Sequence, residues 1–223
     1  MITFLTKSTF HYFNWLKLHK MKEELEKFLK NTDNFNNIKH RSEADFQFEL
    51  GYFLKNETPL NNLRFEYQFK DLYKEKQKCI LKKEADICVL GNDKKTVEFC
   101  IEIKLLKESA GSTNFFRACF KDICYLLQLK EKEQIISGYF VLICANTEFI
   151  RQDSNSEKAK FWRGNNLTEL KKYNKDFLPK DSFEKLKKFI KKDNWSLGLK
   201  TKILEYEFIS DKNHEYAYCI VEI

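Results

Sequence analysis

The sequence predicts an α/β fold in which helices flank a central mixed sheet, and three observations carry that prediction. Residues 84–90 and 97–105 are two apolar-rich runs of strand length around the loop Gly91, Asn92, Asp93 and Lys94, the pattern of an antiparallel hairpin. Residues 138–145 (Gly-Tyr-Phe-Val-Leu-Ile-Cys-Ala) are continuously apolar, as strands covered on both faces are. A helix from about Phe115 to Lys130 lies between these segments, so strand, helix and strand from 97 to 145 read as a right-handed βαβ crossover.

In chain order, residues 1–10 read as a short strand or arm. Residues 11–30 read as a helix, with Leu18, Met21, Leu25, Phe28 and Leu29 at helical spacing. The polar stretch Asn31 to Asn37 ends it. A second helix begins near Ser42, a good N-cap, with acidic residues in the first turn favoured by the helix dipole. Its apolar stripe is Phe46, Leu50, Phe53 and Leu54. Residues 63–69 alternate as a strand. Residues 70–78 are charged and read as an exposed turn, and Cys79–Leu81 extends the sheet. Lys82 and Lys83 then precede the hairpin, touching phosphates or simply solvated.

The hairpin carries the chemistry. Side chains alternate along a strand, so one face collects Ala85, Ile87, Val89, Val97, Phe99, Ile101 and Ile103. The other carries Glu84, Asp86, Glu102 and Lys104. If Val89 pairs with Phe99, the same register sets Asp86 opposite Glu102, with Cβ atoms about 4.5–5.5 Å apart. Two facing acids repel, and a divalent cation turns that repulsion into attraction. Mg²⁺ commonly takes one or two carboxylates and keeps several waters. Lys104, two residues on, reaches whatever the metal binds. Acids, metal and lysine together suit in-line attack of water on a phosphodiester. The alternative is a solvated polar face with a weak ion pair; the tripeptide recurs at Glu169-Leu170-Lys171 with nothing to suggest a site.

Asp86, fifteen intervening residues and Glu102-Ile103-Lys104 resemble the signature of the PD-(D/E)xK nuclease superfamily, which includes many type II restriction endonucleases. The resemblance covers roughly residues 42–145. It implies an αβββαβ core and a metal-dependent nuclease, with Asp86 and Glu102 as metal ligands and Lys104 as the catalytic lysine. Ala85 stands where the family has proline. The helix before the hairpin often supplies a further acid in this family. Glu49 matches by position, with Glu43 as substitute; Glu49 otherwise reaches water at the edge of its stripe. The helix after the Glu-x-Lys strand often orients phosphate or water, and Arg117, Lys121 and Gln128 are all candidates on it. From the residues alone, Phe116, Phe120, Ile123 and Leu127 form the buried face of that helix.

After residue 145 the sequence predicts an extension to 223: a long connection over 146–180, a helix over 181–192 and a β-hairpin from 201–209 and 214–222. Arg151, Trp162 and Arg163 contact nucleic acid or serve as surface and core. Asp181 or Ser182 caps the helix, which buries Phe183, Leu186, Phe189 and Ile190. Its other face holds Lys185, Lys187, Lys188, Lys191 and Lys192, solvated or a phosphate-binding stripe.

Composition bounds the function. The chain of 223 residues reads as one domain, 1–223. Gly and Pro number only 6 and 2, which argues against disorder. The net charge of +7 permits a polyanionic partner without demanding one. No Cys-x-x-Cys or zinc-like Cys–His spacing occurs, and the cysteines sit in apolar runs, which suggests a reducing cytoplasm. No signal peptide and no run of the roughly 20 apolar residues of a membrane span are evident. The expected function is a Mg²⁺-dependent endonuclease acting on DNA, with Mn²⁺ able to substitute, of restriction or phage-defence type, and a homodimer if it cuts both strands. Asp86 and Glu102 hold the metal with a carbonyl near Ile103, and Glu49 completes the shell or binds a second ion. The alternatives are an RNA-directed nuclease and a nucleic-acid-binding protein without catalysis.

Overall fold

The computed structural model describes residues 19–57, 62–69, 84–107, 113–145, 202–210 and 215–223. Its elements are α1 (residues 19–30), α2 (Glu43–Glu57), β1 (Leu63–Gln68), β2 (Glu84–Leu90), β3 (Val97–Leu106), α3 (Thr113–Glu131), β4 (Ser137–Cys144), β5 (Lys202–Ser210) and β6 (Glu215–Glu222). Short 3-10 turns, Thr32–Phe35 and Ile38–His40, join α1 to α2. From α2 to β4 the chain runs helix, three strands, helix, strand. The expected helix over 181–192, the strand over 79–81 and the connection over 146–180 lie outside the described residues.

The strands form one mixed sheet in the order β1-β2-β3-β4-β6-β5. Among the described strands only β3 and β4 are parallel, as α3 between them requires. The expected C-terminal hairpin extends this sheet: β6 pairs antiparallel with β4, and β5 with β6. Both faces are covered. On one face α1, α2 and the turn residues Phe35 and Ile38 pack on Ile87, Val89, Phe99, Ile101, Ile103, Val141 and Tyr218. On the other, α3 packs on Cys88, Cys100, Phe140, Leu142 and Cys219. Every residue of β4 is buried, which explains its unbroken apolar run.

The helices follow the predicted stripes. Met21, Leu25, Phe28 and Leu29 of α1 are buried, as are Phe46, Leu50 and Leu54 of α2, while Phe53 is only partly so. Ser42 caps α2 reciprocally with Asp45: the Asp45 N–H donates to Ser42 Oγ at 3.2 Å, and the Ser42 N–H to Asp45 Oδ2 at 2.6 Å. Ile123 and Leu127 of α3 are buried, but so is every residue from Asp122 to Leu129, a wider burial than one predicted face.

The β2–β3 register is the expected one, Val89 opposite Phe99 and Ile87 opposite Ile101. It shifts between Val89 and Leu90, where Leu90 pairs with Val97 and Glu98 is the extra residue of a bulge. The bulge turns Val97 away from Phe99 and into the layer beneath α3. Ala85, expected with Ile87, also packs in that layer. In β1 the register brackets Glu66, which adopts a left-handed backbone with φ of 48° and an exposed side chain.

Candidate active site

Continued by one pair beyond Ile87 and Ile101, the β2–β3 register sets Asp86 opposite Glu102. Glu102 follows Cys100 by two residues in β3, and both carboxylates lie close enough to the Cys100 thiol to help raise its pKa. Both are buried, Asp86 at 8% exposed and Glu102 at 0%. Asp86 Oδ2 accepts the Ile103 N–H at 2.9 Å, which ties the carboxylate of β2 to the backbone of β3.

Lys104 gathers the rest. Its Nζ donates to Glu43 Oε1 at 2.7 Å and to the Ile103 carbonyl at 3.1 Å, and it lies 3.2 Å from Asp122 Oδ2. Glu43 Oε2 also accepts the Leu105 N–H at 3.3 Å. Burial works against the Lys104 charge, but Asp122 and then Glu43, with Asp86 behind them, outweigh it and hold the ammonium above its ordinary pKa. The lysine therefore carries a fixed positive charge at the meeting point of α2, β3 and α3.

The structure brings Asp86, Glu102, Ile103 and Lys104 together, and it does not bring Glu49. That side chain is 44% exposed and pairs with Arg41 Nη2 at 2.5 Å. It borders an outer groove with Phe48, Tyr52 and Phe53. The reason is helical geometry: Phe46, Leu50 and Leu54 take the buried stripe, and Glu49 is turned off it toward the Arg41 guanidinium, which lies over the Phe46 ring. Glu43, in the first turn, is the acid of α2 that reaches the site. Its position at the helix start places it at the end of β3, where the layers meet.

Asp122 was missed by the sequence reading, and a signal was available. It lies three residues after Cys119 and four before Leu126, within the apolar face of α3, where an acid needs a partner. Of the candidates on α3, Gln128 is buried and Lys121 partly buried, while the side chain of Arg117 is outside the described part. Arg163 is likewise outside the described residues.

Among the described residues, no group of three or more His, Cys, Asp or Glu side chains is arranged to hold a metal ion. The donor set at the strand pair is two carboxylates, Asp86 and Glu102, and the Ile103 carbonyl. That set suits an oxygen-seeking ion such as Mg²⁺, which takes few protein ligands, and does not suit a closed nitrogen–sulfur site for zinc. Next to the pair, Cys88 Sγ and Cys100 Sγ are 2.9 Å apart, and burial first, then the Cys88 thiol, pushes Cys100 well above its ordinary pKa. Both sulfurs are fully buried in the layer packed against α3. Among the described residues no helix is long and apolar enough to cross a membrane. Searches against protein-family models, curated proteins and solved structures found no match to the chain.

Proposed function

We propose that the chain is a metal-dependent nuclease with a restriction-endonuclease-like core, hydrolysing phosphodiester bonds in DNA. What carries the reading is the β2–β3 register, which continued past Ile87 and Ile101 brings the buried Asp86 and Glu102 to opposed positions, with Asp86 on the Ile103 N–H and Lys104 two residues after Glu102. Repelling carboxylates at opposed positions destabilise a sheet unless something positive is provided for them. The run of helix, three strands, helix and strand around the pair is the element order that the resemblance implies.

In this reading Asp86, Glu102 and the Ile103 carbonyl would hold Mg²⁺, which when bound would supply an activated water and positive charge near the phosphate. Asp86 is oriented by the Ile103 N–H, so the backbone of β3 sets the angle of the β2 carboxylate. Lys104, held charged by Glu43 and Asp122, would stabilise negative charge on the phosphate as it builds. Glu43 and Asp122 position that ammonium from the two helical layers. The covering α3 limits water around the acids, which strengthens each of these interactions.

The test is nicking of supercoiled plasmid in Mg²⁺ by the wild type, Asp86→Asn and Lys104→Ala. The wild type should nick, and each variant should lose about 100-fold or more, the usual cost of a group that stabilises transition-state charge. Equal nicking by all three proteins, or none by any, sinks the proposal.

A further inference from the structure

Lys104 is surrounded as a small inorganic cation would be. Three oxygens lie within 3.2 Å of its Nζ, each from a different residue: Glu43 in α2, Ile103 in β3 and Asp122 in α3. Two are carboxylates. The third is a backbone carbonyl that the reading above gives to a metal ion. The ammonium is a compact point charge, and its side chain is only 15% exposed, with Asp122 at 6% and Glu43 at 35%. Taking these charges out of water is costly, and their mutual attraction offsets that cost only while all are present. Glu43 is also anchored to the Leu105 N–H, so the oxygens are held in place by more than the lysine itself.

We propose that the Lys104 ammonium is a tethered cation occupying the position that a second metal ion would take, so that the site accepts one divalent ion, beside Asp86 and Glu102, and not two. The inference rests on the nuclease reading for the ion at Asp86 and Glu102. It has its own consequence, because a lysine and a dication become interchangeable between Glu43, Asp122 and the Ile103 carbonyl. With the lysine in place the folded chain needs no ion there. Without it, the buried Asp122 and the half-buried Glu43 are left facing each other, and a dication restores the balance.

The experiment is thermal unfolding of the wild type, Lys104→Met and Lys107→Met, each in chelator and in Mn²⁺. Lys107 follows β3 and takes no part in the cage, so its variant controls for the loss of one nearby positive charge. Lys104→Met should melt below the wild type in chelator. Added Mn²⁺ should raise its Tm by about 5 °C or more beyond any rise in the wild type, as mass action on a new site predicts. Lys107→Met should respond as the wild type does. If Lys104→Met does not fold in chelator, the double variant Lys104→Met/Asp122→Asn, with one anion fewer, should fold there and respond weakly to Mn²⁺. Equal Mn²⁺ responses in Lys104→Met and the wild type overturn the proposal. So does an equal response in Lys107→Met, or failure of both Lys104 variants to fold even with Mn²⁺. Plasmid left intact by the wild type, together with Mn²⁺ rescue of Lys104→Met, refutes hydrolysis and supports the tethered cation.

Discussion

The two faces of the sheet are built from different materials. Beneath α1 and α2 lie rings: Phe28, Phe35, Phe46, Phe99, Tyr139, Tyr216 and Tyr218. Phe35 stacks on Tyr216 at 4.1 Å between centroids and on Phe46 at 5.3 Å. Beneath α3 lie small sulfur side chains: Cys88, Cys100, Cys119, Cys124, Cys144 and Cys219 all belong to that layer. Gly138 of β4 sits under α3 as well, where a Cβ would meet Leu126 Cβ at 3.0 Å. The difference teaches where precision is needed. Bulky rings hold α1 and α2 to the sheet largely by area, with the Tyr216 hydroxyl also donating to the Leu29 carbonyl of α1 at 2.8 Å. Small residues let α3 come close enough for Asp122 to touch Lys104, so the site is built on the tightly packed side.

Breaking the ring layer should have the largest effect. Phe35→Ala removes a fully buried ring from both stacks and should cost about 3–5 kcal/mol in urea unfolding, while Cys100→Ala on the opposite face costs only about 1 kcal/mol. A similar cost for the two would erase the contrast. Gly138→Val comes next. Its added carbons meet Leu126 and should cost about 1–3 kcal/mol through overpacking. The same change should lift α3, seen as faster amide exchange in α3 than in α1; equal protection in both helices would show that close approach is not what seats it.

The smallest effect concerns the turn that starts the β2–β3 register. Asp93 accepts the Lys95 and Thr96 N–H groups, both at 2.9 Å, and the Thr96 hydroxyl at 2.6 Å. Chiefly through the Thr96 hydroxyl, these hold its pKa down from 3.8 to about 2. A folded-state pKa below the unfolded one gives stability that is complete above the unfolded value and lost as pH falls through the folded value. Asp93→Asn should therefore lower Tm near neutrality and converge on the wild type as pH falls from about 4 to about 2, which flattens the acid limb. An unaltered acid limb would mean that the turn carries no such term.

Much of this arrangement was legible in the sequence. Alternation in residues 84–105 gave the Val89–Phe99 register because the period of a strand leaves one choice once an apolar face is fixed. The unbroken apolar run at 138–145 gave a doubly covered strand. Three things were not legible. The bulge at Glu98, which reverses Val97, depends on a turn geometry that no apolar period records. The choice of Glu43 over Glu49 depends on where α2 begins relative to the end of β3, a tertiary distance. The burial of the hairpin's polar face was not legible because nothing local says that α3 will cover it, and only the acid inside the apolar face of α3 gave notice.

Glu66 interrupts β1, the outermost strand on its side of the sheet among the described residues. With one residue wound the other way, the rim of the sheet presents its donors and acceptors out of step. A foreign strand laid along it would lose a rung midway, so this flank resists serving as a template for stacking one copy of the protein on the next.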